Sequence, residues 1–137
     1  MKLRELAKAL DLRLLVPETA PETRENSETP EHGALRDTLE KALEAEVTRG
    51  YASDLLSDVL ANAPKDSVLV TLQVHLNVIA VATHANLRAV IFSCGRMPEA
   101  EVIERAAEEG LVLFSSKADT FDLVGRLYEL GLRGKGG

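Results

Sequence analysis

The sequence predicts an α/β fold, a three-layer α/β/α arrangement around a mostly parallel sheet. Three observations predict it. Residues 67–72 (SVLVTL), 87–92 (LRAVIF) and 111–114 (LVLF) are short, largely apolar runs of strand length. Helical patterns separate them in strict alternation. Polar turn residues follow each run: Gln73 and His75, then Ser93, Cys94 and Gly95, then Ser115, Ser116 and Lys117. A strand that is apolar on both faces needs cover on both faces, as in parallel sheets with helical crossovers.

The elements follow in order. Leu3, Leu6, Ala7 and Leu10 recur at helical spacing, and 12–16 is apolar enough for a strand. Residues 17–33 hold three of the five prolines, several Glu and no large aliphatic residue. That composition buries too little surface to offset ordering entropy, so an extended linker is expected, inserted into a single domain. A helical stripe returns with Leu35, Leu39, Ala42 and Leu43. A turn over 50–54 leads to a helix near 54–63, with Ser53 as N-cap and Leu55, Leu56, Val59 and Leu60 on one face. The helix at 77–85 is so apolar that burial on more than one side is expected. Pro98 suits the first position of the next helix and Gly110 its C′ position. Asp119 suits the cap of a last helix that ends at Gly131. The tail 133–137 is expected to fray.

At 137 residues the chain has the length of one domain, and 45% apolar with 28% charged residues is ordinary for a globular one. A net charge of −6 repels phosphate backbones, so neither nucleic acid nor an anionic membrane is an expected partner. No run approaches the roughly 18 apolar residues of a membrane span. With one cysteine, Cys94, an intrachain disulfide is impossible and an iron–sulfur cluster or zinc site is not expected. A lone thiol without a secretory signal fits the cytoplasm.

Catalytic motifs are sparse. GLRGKGG at the C-terminus lacks P-loop spacing, and there is neither a GxGxxG after a strand nor a GxSxG elbow. A receiver-type phosphoacceptor would need Asp at a strand end, where Thr71 stands. His32, His75 and His84 show no ligand spacing. The polar residues do cluster by position, because ligands of parallel sheets bind beyond the carboxyl ends of the strands. Ser53, Asp54, Thr71, Gln73, His75, Asn77, Ser93 and Gly95 fall there and form the expected ligand-binding set. Any one of them taken alone more often caps a helix or satisfies a turn. Asp54 and Asp58 are spaced for an acid–base pair, although Asp at a helix start more often serves the dipole. Cys94 reads best as a small strand-end residue.

The segments VTRGYASDLLSDV (47–59), TLQVHLN (71–77), DTFD (119–122) and GRLYE (125–129) resemble the DRTGG domain family, especially its small stand-alone branch associated with iron-only hydrogenases. The likeness covers 1–16 and about 45–132. The family's Asp-Arg position falls on Val74 and His75, and its Thr-Gly-Gly position on Ser93, Cys94 and Gly95. The resemblance implies a fold like the HPr kinase N-terminal domain and a regulatory, ligand-sensing module without catalytic residues or cofactor. It implies a homodimer, to which the apolar helix 77–85 adds an argument from exposed surface. The helices that follow the strand ends aim unpaired N–H groups at one rim, which suits a small anionic or nucleotide ligand; the resemblance implies a protein partner in hydrogenase or redox metabolism. Two alternatives stand beside this: a small enzyme using Ser53, Asp54 and His75, and a ligand-free assembly factor.

Overall fold

The computed structural model describes residues 1–18 and 30–136. Its elements are α1 (Leu3–Ala9), β1 (Arg13–Leu15), α2 (Pro30–Leu43), β2 (Gly50–Ala52), α3 (Leu56–Asn62), β3 (Val68–Thr71), α4 (Asn77–His84), β4 (Ala89–Phe92), α5 (Ala100–Glu108), β5 (Val112–Ser115) and α6 (Thr120–Glu129). One five-stranded sheet has the order β1-β5-β4-β3-β2. β2 to β5 run parallel, and β1 pairs antiparallel with β5 at the edge.

Side chains of the central strands alternate between two cores, as the pleat requires. Val68, Val70, Ala89, Ile91, Val112 and Phe114 meet Leu3, Leu6, Leu43, Leu123 and Leu127 from α1, α2 and α6. Leu69, Val90, Phe92 and Leu113 meet Val59, Val78, Ile79, Ala82, Val102 and Ala106 from α3, α4 and α5. The expected three-layer α/β/α fold is therefore present, and all three predicted central strands lie where the apolar runs put them.

The helix faces follow from the connections. Strands β2 to β5 step across the sheet in one direction, and right-handed crossovers then keep α3, α4 and α5 on one face. After β5 the chain returns on the other face through α6. It reaches the far edge, where Arg133 forms a parallel bridge with Arg49.

Several expectations need correction. Gly50–Ala52 is a strand rather than a turn, and its edge position and three-residue length hide it from a pattern search. The cap of α3 is Leu55, not Ser53. Only Val59 of the expected α3 face is buried, while Leu55 and Leu60 are exposed. Pro98 lies just outside α5, whose cap is Glu99. Helix α2 starts at Pro30, inside the expected linker, in the first-turn position that suits a residue without an N–H. The rest of that linker, 19–29, lies outside the described residues. The tail is tied down at its start rather than frayed: Gly50 N donates to Arg133 O at 3.0 Å, Arg133 N to Thr48 O at 3.0 Å, and Arg49 Nη1 to Gly134 O at 2.8 Å. Asp119 caps α6 as expected, accepting from Asp122 N at 2.9 Å, and Gly110 and Gly131 take the positive φ of C′ positions.

Candidate functional site

The carboxyl ends of β2 to β5 release four loops onto one rim of the sheet. The first joint is between the β2 and β3 loops. Asp54 Oδ1 accepts from the Thr71 hydroxyl at 3.1 Å and from the Leu72 amide at 2.7 Å. Thr71 Oγ1 accepts in turn from Gln73 N at 3.1 Å, and Gln73 Nε2 donates to Asp54 O at 2.9 Å. Ser53 Oγ accepts from Leu55 N at 3.2 Å. The expected residues Ser53, Asp54, Thr71 and Gln73 thus come together, and three of them hold one another.

The second joint lies between the β4 and β5 loops. Helix α5 leaves β4 on one face and α6 leaves β5 on the other, so this is the topological switch point, where α/β sheets usually open a crevice. Here the crevice is closed. Cys94 N donates to Ala118 O at 2.8 Å and Gly95 N to Ser116 O at 2.7 Å. The hydroxyls of Ser93 and Thr120 lie 2.7 Å apart, and Ser115 Oγ donates to Arg96 O at 2.9 Å. Both Cys94 and Gly95 adopt positive φ, which turns their amides toward the β5 loop. Cys94 is exposed. Ser93 is buried, and Ser93 N donates to Thr71 O at 3.2 Å, linking the two joints.

His75 and Asn77 behave differently. Both are exposed at the start of α4, and neither side chain hydrogen-bonds to another described residue. The trio Ser53, Asp54 and His75 is therefore not assembled as a hydrogen-bonded catalytic array. Asp54 and Asp58 do not pair either. Asp58 accepts from Tyr51 Oη at 2.8 Å and from Asn62 Nδ2 at 2.9 Å. Donation from Asn62, then from Ser53 and Tyr51, holds the Asp58 carboxyl below the usual range, and Asp58 in turn raises the Tyr51 phenol. Among the described residues no three His, Cys, Asp or Glu side chains converge as a metal-ligand set. No described helix is long and apolar enough to cross a membrane.

Sequence reasoning missed one feature. A cleft of about 130 Å³ lies between the β2 edge and α6, lined by Gly50, Tyr51, Val70, Val124, Leu127 and Tyr128, with Leu132, Arg133 and Gly134 at one end. The Arg133 guanidinium stacks 3.8 Å from the Tyr128 ring centroid and donates to Tyr128 O at 2.9 Å. The available signal was the second apolar stripe of α6, Phe121, Val124 and Tyr128, opposite the buried Leu123 and Leu127.

No family model and no curated protein matches the sequence. Among solved structures, the chain is similar to the CBS and DRTGG domains of the regulatory region of Clostridium perfringens pyrophosphatase, complexed with the activator diadenosine tetraphosphate. The TM-score is 0.62 at 13% identity, and the match covers 96% of this chain and 47% of that one. The shared property is the fold. This chain spans about half the length of that regulatory region, and its α/β fold is DRTGG-like.

Proposed function

We propose that this chain is a non-catalytic regulatory module that senses a small anionic or nucleotide ligand at the rim and works as a homodimer. The observation that carries the reading is the fold likeness, extending over 96% of the chain, to a regulatory region that was crystallised with a nucleotide activator. The rim supports it. Asp54, Thr71, Gln73 and Ser93 form a rigid hydrogen-bonded base. Ser53 and Gly95 lie in the same strand-end loops, and His75 and Asn77 are exposed at the start of α4 and uncommitted to other side chains. Parallel sheets present such rims to ligands. A link to hydrogenase or redox partners, and a cytoplasmic location, rest on the sequence resemblance and the single thiol.

The test is a melting screen with adenine mono- and dinucleotides, because a ligand of the native state raises its stability. A hit should weaken by about 1–3 kcal/mol in Ser53→Ala and His75→Ala, each of which removes a hydrogen-bonding group without opening a large cavity. No shift with any nucleotide, at concentrations that saturate nucleotide sensors, would favour the ligand-free assembly factor.

A further inference from the structure

Strand β2 presents only Gly50 and Ala52 to α6. Paired residues of parallel strands point their side chains to the same face. Gly50 pairs with Val68 and Ala52 with Val70, and both valines lie in the core that α6 covers. Neither Gly50 nor Ala52 is long enough to fill the space to the helix. The gap is the cleft of about 130 Å³, lined by Gly50, Ala52 and Val70 from the sheet and by Val124 and Leu127 from α6. An apolar cavity of about 150 Å³ holds benzene, so this space suits one ring or a short branched chain. Arg133 is the single charged residue among those lining it. Its guanidinium lies 3.8 Å from the Tyr128 ring centroid. Nη1 donates to Tyr128 O at 2.9 Å and to Leu132 O at 2.8 Å, which uses both of its N–H groups. Nε and Nη2 make no hydrogen bond to another described residue. Those two nitrogens form one edge of the planar fork, and such an edge takes a carboxylate through two parallel bonds. The stack on Tyr128 and the two Nη1 bonds hold that plane in advance, so less side-chain freedom is lost on binding.

From this arrangement we propose that the cleft beside β2 binds a small monocarboxylate with a compact apolar body. The carboxylate takes the Nε–Nη2 edge of Arg133, and the body lies against Val70, Val124 and Leu127. One positive charge in an otherwise uncharged lining matches one negative charge. A phosphate dianion there would keep a charge without a partner beside apolar side chains, which is costly. The cleft shares no lining residue with the set expected at the rim, so this site does not rest on the nucleotide reading.

Benzoate, a ring with one carboxylate, is the probe. A ¹H–¹⁵N NMR titration of the full chain with benzoate should give saturable shifts at Gly50, Ala52, Val124 and Tyr128, with His75 and Asn77 unmoved. Benzyl alcohol keeps the ring and loses the charge, and should bind about tenfold more weakly or worse. Arg133→Lys keeps the charge but not the planar edge, and should weaken benzoate about tenfold. Ala52→Leu places a side chain in the cleft and should abolish the shifts without lowering the melting temperature, because it adds apolar contact in open space. It leaves the Nη1 bonds of Arg133 intact, so it decides the matter even if Arg133→Lys loosens the tail. No saturable shift at the cleft, equal binding of benzyl alcohol, or unchanged benzoate affinity in either folded variant would overturn the site. Inorganic phosphate binding there as tightly as benzoate would overturn the ligand class.

Discussion

The hydroxyls of Ser93 and Thr120 lie 2.7 Å apart and bridge the loop after β4 to the first residue of α6. With the amides of Cys94 and Gly95 bonded to the β5 loop, they close the crevice at the switch point of the sheet. A ligand at this rim therefore sits on the closed surface rather than within it. Ser93→Ala should leave the Thr120 hydroxyl without its partner and cost about 1–2 kcal/mol. Urea unfolding measures the cost. Faster amide exchange at Cys94 and Gly95, with exchange in β4 unchanged, would place the loss in the loops.

Asp54 and His75 belong to the same expected site but do different work. Asp54 accepts two hydrogen bonds that hold the β3 loop, while the His75 imidazole makes none among the described residues. Asp54→Ala should destabilise the fold by about 1–3 kcal/mol, and His75→Ala should stay within about 0.5 kcal/mol of the wild type. Denaturant titration of the two variants checks the pair. Equal losses would contradict this division of labour.

The side-chain network at the β2 edge predicts the pH response. The Asp58 carboxyl is held below its ordinary 3.8 by hydrogen bonds from Asn62, Ser53 and Tyr51. A depressed carboxyl stabilises the fold above its unfolded value, and the contribution is lost as pH falls through the folded one. The Tyr51 phenol is raised above 10.0, chiefly by its hydrogen bond to Asp58. That contribution is complete below the unfolded value and is lost as pH rises through the folded one. Tyr51→Phe should therefore flatten the alkaline fall in melting temperature above about pH 10. An unchanged alkaline limb would show that the Tyr51–Asp58 bond does not form in solution.

The α6 cap is a fourth test. Asp119 satisfies the Asp122 amide, so Asp119→Ala should cost about 0.5–2 kcal/mol, and Asp119→Asn much less. Thermal melts of both variants separate the cap from the charge.

The central strands were legible because β3, β4 and β5 are buried on both faces and so read as continuous apolar runs. The edge strand β2 was not legible. Gly50–Ala52 is only partly buried, and its pairing is set by Val68 and Arg133, which no local pattern reveals. The tail read as frayed because GLRGKGG is rich in glycine, yet its hold on Thr48 and Gly50 is made by backbone groups that composition does not report. At the rim, the positions of Asp54, Thr71 and Ser93 followed from the strand ends. Their partners did not, because Asp54 bonds Thr71 across 17 residues and Ser93 meets Thr120 across 27. Such bonds are set by the tertiary fold. The outer stripe of α6 was visible as spacing, but a helix with two apolar stripes is understood only once one of them is seen to be buried.

Nucleotide sensing at the rim is tested most directly by a two-dimensional ¹H–¹⁵N NMR titration of the full chain with the nucleotide that most raises the melting temperature. Saturable shifts should concentrate at Ser53, His75, Asn77 and Gly95, with Gly50, Val124 and Tyr128 unmoved. Shifts confined to the cleft beside β2, or no saturable shift with any nucleotide, would contradict it.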